Sequence, residues 1–138
     1  MTSTVVYNGN LRTTLTHTRS GSSFETDAPP DNNGRGERFS PTDLMATSLA
    51  TCMITVMGIR ARKMGFDLEN VRIDVIKTMK QDPRRVGGIE LRFDIPEPLT
   101  KLDQKDIAIL KEIGENCPVM LSIHPDIEIK LDWGMWTN

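Results

Sequence analysis

The 138-residue sequence has only two cysteines and no surplus of either charge. No segment in it reads as a targeting signal. Each absence excludes something. Seventeen Lys and Arg against nineteen Asp and Glu give a net charge of -2. That leaves no basic excess to meet a phosphate backbone, so nucleic acid is not an expected partner. Two cysteines cannot staple a scaffold of this length in the way small secreted domains are stapled. There is no Cys-x-x-Cys, which argues against a thioredoxin-like or zinc reading. His17 and His124 would complete a Cys2His2 set in number only. Their spacings match no finger pattern, so no metal is expected. The N-terminus has no basic n-region and no long apolar stretch, so no secretory signal is expected. The strongest apolar segment, Leu44 to Ile59, is 16 residues and contains Thr47, Ser48, Thr51 and Thr55. It falls short of the ~20 residues a spanning helix needs and reads as a buried core helix. No membrane partner is expected. The expected compartment is the cytoplasm, where thiols stay reduced unless catalysis oxidises them. Charged residues make up 26%, an ordinary globular value, and the length suits a single domain over residues 1–138.

What is present follows a clear order. Thr4–Tyr7, Leu11–Thr18 and Ser23–Asp27 read as short strands, separated by the turn signals Asn8-Gly9-Asn10 and Arg19-Ser20-Gly21-Ser22. Ala28 to Phe39 reads as a long polar loop. Ser40-Pro41-Thr42-Asp43 then predicts a helix start: Ser40 caps, Pro41 fits the first helical position, and Asp43 completes a capping box. The helix is predicted to run to about Met64 and stop at Gly65. Between Leu44 and Ile59 its apolar residues lie on every face, so it is expected to be buried all round. One subunit of this size is hard pressed to cover such a helix, which predicts a homodimer.

Val71–Val75 and Ile89–Ile95 alternate with period two and predict strands around a hairpin loop, Asp82–Gly88. Thr100 to Gly114 predicts a second helix, Cys117 to Ile123 a short apolar turn, and Ile127 to Trp133 a last strand. The fold class is α+β, with antiparallel sheet.

The two cysteines differ. Cys52 lies mid-helix in apolar surroundings, where free Cys usually packs as a small hydrophobe with an inert thiol. Reactivity there requires a cation from elsewhere, with Arg12, Arg19, Arg35 and Arg38 as candidates. Cys117 precedes Pro118, which suits the first position of a short helical turn. A cap position would favour a thiolate, so local electrostatics make Cys117 the easier one to ionise. A structural cap or loop role is the alternative. The two are 65 positions apart, and spacing alone does not say whether they meet.

Ser40-Pro41-Thr42-Asp43-Leu44, Cys52 eleven residues after Pro41, and Cys117-Pro118-Val119 after a second helix resemble the OsmC/Ohr family of osmotically inducible and organic-hydroperoxide-resistance proteins. The resemblance implies an intertwined homodimer with antiparallel sheets around long central helices. It implies a thiol-dependent peroxidase that needs no bound cofactor and is reset by an external dithiol. Carried over by motif, Cys52 is the peroxidatic residue and Cys117 the resolving one. An arginine from an N-terminal strand, Arg12 by position, activates the thiolate. One departure stands out. Where the hydroperoxide-reducing branch has an acid directly after the helix-opening proline to hold that arginine, this chain has Thr42. Its acid is one position later, at Asp43, about 100° further round the helix. The competing functions are a binding module of the same fold for a small apolar or thiol-bearing ligand, and a redox sensor without turnover.

Overall fold

The chain first reverses at Asn10 and Leu11, both with positive φ (52° and 61°), the geometry that matches a tight hairpin to strand twist. This turn joins β1 (Ser3–Gly9) to β2 (Arg12–His17), and a second reversal leads to β3 (Ser23–Asp27). The three strands form an antiparallel meander in the order β1-β2-β3. The computed structural model describes residues 1–137. They form two compact units, Met1–Met45 and a second that begins at Ala46.

In the first unit, Val5 pairs with Leu15 and Leu15 with Phe24, which sets one apolar row across one face of the sheet. The loop after β3 folds back on itself: Gly34 donates to the Pro29 carbonyl at 3.0 Å. A Cβ at Gly34 would overlap the Ala28 carbonyl, so only glycine fits there.

α1 spans Pro41–Met64 as expected. Ser40 Oγ accepts from Asp43 N–H at 3.1 Å and Asp43 Oδ2 accepts from Ser40 N–H at 2.9 Å, a complete capping box. Gly65, at φ 92°, ends the helix; its N–H bonds Arg62 O and the Phe66 N–H bonds Ala61 O, a Schellman pair. Within this one chain α1 is not buried all round, in keeping with a helix that a single subunit is hard pressed to cover. Only a stripe at three- and four-residue spacing is buried: Ala46, Leu49, Ala50, Met53, Met57 and Ala61. Ile59 is 55% exposed. Thr51 and Thr55 are exposed too, their hydroxyls bonded back to the helix carbonyls of Ser48 and Thr51. At 24 residues α1 also exceeds the apolar run read from the sequence. By length and composition alone it could cross a membrane, a test that the core helix of a globular domain passes as well.

The second unit continues with β4 (Arg72–Lys80), β5 (Arg85–Asp94), α2 (Gln104–Glu115) and β6 (Glu128–Asp132). The hairpin between β4 and β5 is tighter than the predicted loop, because Lys80 already pairs with Arg85. α2 starts later than Thr100: Asp103 is its cap, accepting from Lys105 N–H at 2.8 Å. β6 pairs with β5 in parallel, not antiparallel, since α2 carries the chain back to the same end of the sheet. Leu49, Met53, Met57, Ile89, Leu91, Ile107 and Leu110 make the core of this unit, closed by Trp136, whose indole N–H donates to Leu99 O at 2.9 Å. Among the described residues the architecture is α+β, two α-helices with two three-stranded sheets.

Candidate functional site

Cys52 lies midway along α1, next to the buried Met53, and is half-buried. Cys117 follows the C-terminal end of α2 and is 1% exposed. Its own N–H donates to Gly114 O at 3.1 Å, which fixes it to the last turn of α2. Leu121 N–H returns to Cys117 O at 3.1 Å, so Pro118 does open a single helical turn. Both thiols are free, and they are neighbours that interact electrostatically.

The cap geometry expected at Cys117 is present: Met120 N–H donates to its sulfur at 3.4 Å. Its electrostatic consequence is reversed. Burial, the largest effect, pushes the Cys117 thiol above its ordinary pKa, and the neighbouring Cys52 sulfur pushes it further. The Met120 N–H pulls the other way and does not prevail. A raised pKa keeps the Cys117 thiol protonated at neutral pH. The local reading failed because a cap donor is visible in the sequence and the burial of that cap is not.

Arg12 opens β2 and its side chain is held on two sides within the first unit. Its Nε donates to Asp27 Oδ1 at 2.7 Å, and its Nη2 to Asp27 Oδ2 at 2.8 Å and to Glu37 Oε2 at 2.9 Å. Three of its five N–H donors are thus engaged and Nη1 carries the other two. Asp27 is 1% exposed and accepts a third N–H, from the Glu37 backbone at 3.2 Å. The guanidinium holds the Asp27 carboxyl below the usual carboxylate range, and the two acids raise the arginine in turn. Of the other candidate arginines, Arg38 pairs with Glu25 at 3.2 Å on the surface, and Arg19 and Arg35 are exposed.

Thr42 Oγ1 lies 3.2 Å from Ser40 Oγ, and Asp43 closes the capping box. The acids on Arg12 are Asp27 and Glu37, which the sequence reading missed. For Asp27 a signal existed: Arg12 and Asp27 stand directly opposite in the β2–β3 register, an opposite-charge cross-strand pair. Glu37 comes from the irregular loop and carried no such signal.

Chemically, unit two offers a dithiol with one half-buried and one buried, protonated partner. Unit one offers a fixed guanidinium. Residues 34–132 match the family described as OsmC-like protein. The chain belongs to the OsmC-like family. Among solved structures, this OsmC-like chain is similar to a candidate osmotic-stress-induced and detoxification-response protein from Psychrobacter arcticus: 46% identity, TM-score 0.90, covering 96% of this chain and 94% of that one. It shares its fold with an organic hydroperoxide resistance protein OsmC from Legionella pneumophila, at 20% identity, TM-score 0.71 and 96% coverage of both chains. It shares it also with the organic hydroperoxide resistance protein OhrB of Bacillus subtilis, at 17% identity and TM-score 0.65, covering 96% of this chain and 97% of that one. Among curated proteins, none matches the chain.

Proposed function

We propose that the chain is a thiol-dependent reductase of organic hydroperoxides. The observation that carries this reading is a half-buried Cys52 and a buried Cys117 in one unit, both free thiols and electrostatic neighbours. The Cys52 thiolate attacks the terminal peroxide oxygen. The O–O bond breaks, the alkoxide leaves and takes a proton as the alcohol, and Cys52 becomes a sulfenic acid. The Cys117 sulfur then attacks the Cys52 sulfur; its proton leaves with the hydroxyl as water, and a disulfide remains. An external dithiol reduces it, and no bound cofactor enters the cycle. The cytoplasm, where such reductants are held, is the compartment we assign.

Arg12 is our choice for the cation that favours the Cys52 thiolate. Thr42 favours a ligand-binding module of the same fold, because it leaves the family's acid missing. Asp27 and Glu37 supply two acids for Arg12, so that objection loses its force. We further propose that the protein works as a homodimer.

One equivalent of cumene hydroperoxide is expected to remove two thiols per chain within seconds to minutes. Cys52→Ser should lose essentially all peroxide consumption. Arg12→Ala should slow peroxide consumption by at least about tenfold. Retention of both thiols, or undiminished activity in Cys52→Ser, rejects the proposal.

A further inference from the structure

The last turn of α2 contains a glycine, Gly114, that its backbone does not need. Glycine is disfavoured in a helix interior relative to alanine, so its presence calls for a reason of space. A Cβ built on Gly114 would lie 2.9 Å from Met57 Sδ, 3.3 Å from Met57 Cγ and 3.4 Å from Met53 Cε. Met53 and Met57 are both fully buried in the α1 stripe, so neither can swing into solvent to make room. Gly114 is thus a point at which α2 packs tightly against side chains of α1. It is also tied to both thiols. Its carbonyl accepts the Cys117 N–H at 3.1 Å, and Met53 is the residue after Cys52.

We infer that Gly114 is a positioning residue for the disulfide-forming step: the notch it leaves for Met57 sets the helix separation that keeps the Cys117 sulfur within reach of Cys52. This rests on the cysteine pair cycling as described above. The step it serves is Cys52 sulfenic acid plus Cys117 thiol giving the disulfide and water. Gly114 touches no reacting atom, and the first step, oxidation of Cys52, does not depend on it. Close approach is demanding, since displacement of a reacting group by about 1 Å can cost on the order of 100-fold in rate.

The test uses Gly114→Ala in the full chain, with two oxidants. After one equivalent of cumene hydroperoxide, the variant is expected to form sulfenic acid at the parent's rate, trapped by a cyclic dione. Its disulfide should then close at least about tenfold more slowly. With diamide, which makes disulfides without any peroxidase step, closure should be slowed alike. Met57→Ala added to Gly114→Ala returns the space and is expected to restore closure towards the parent rate. If Gly114→Ala alone does not fold, this double variant still carries the test, since alanine at 114 then has room. Disulfide closure at the parent rate in Gly114→Ala overturns the inference, and so does a double variant that folds and stays slow. A parent that closes with diamide and ignores hydroperoxide rejects the peroxidase reading alone. The diamide comparison then still decides the role of Gly114.

Discussion

Asp27 is the residue whose charge state most directly tests the first unit. It takes three N–H groups, two of them from Arg12, and its carboxyl sits below the ordinary range. A lowered carboxyl stabilises the fold at pH values above the unfolded value, about 3.9, and that contribution disappears as pH falls through the folded value. Stability measured by thermal melts from pH 7 to pH 2 should therefore fall below about pH 4 in the parent. Asp27→Asn should melt lower at neutral pH and lack this component of the acid limb. Parallel acid limbs in the two proteins would mean that Asp27 is not the titrating group. At this scale the sequence was only partly legible. Cys52, Cys117 and Arg12 were picked out by residue type and motif. Asp27 was missed because its meaning depends on hairpin register, and Cys117 was given the wrong tendency because burial is a property of the finished core.

Elements were easier to read where the signal is local. The start and end of α1 follow from Ser40, Pro41, Asp43 and Gly65, all within one turn of the boundary they set. β3 and the α1 limits coincide with their predicted ranges, since turn chemistry fixes both. β6 shows the opposite case. Its alternating pattern says that it is a strand, yet nothing in five residues says which neighbour it joins or in which direction. That is settled by α2, which returns the chain for a parallel pairing with β5. The capping box gives the element-scale prediction. Ser40→Ala removes the acceptor for Asp43 N–H and should lower unfolding free energy by about 1 kcal/mol in urea titration. The slope against urea should stay unchanged, because parent and variant expose nearly the same surface on unfolding. A loss near zero would show that the first turn of α1 is held by other contacts.

An all-apolar helix predicted complete burial, and a single chain covers only one stripe of it, leaving Ile59 out. The first sheet has the same property on a different surface. Val5, Leu15 and Phe24 stand in one cross-strand row, and Tyr7 lies two residues beyond Val5 on that face. Val5 is 62%, Tyr7 63% and Phe24 48% exposed, an apolar patch on a sheet edge-to-edge with solvent. Contiguous exposed apolar surface of this kind marks an interaction site more often than a bare face. The homodimer proposed above gives both surfaces an occupant. Phe24→Glu places a charge at the β3 end of that row, where burial without a partner is costly. It is therefore expected to weaken self-association by at least about tenfold in sedimentation experiments, and to leave the Cys52–Cys117 disulfide able to form with diamide, since both cysteines belong to the second unit. A parent that sediments as a monomer at micromolar concentration would remove the dimer from the proposal. A Phe24→Glu dimer as tight as the parent would keep the dimer and place its contacts elsewhere than on this sheet.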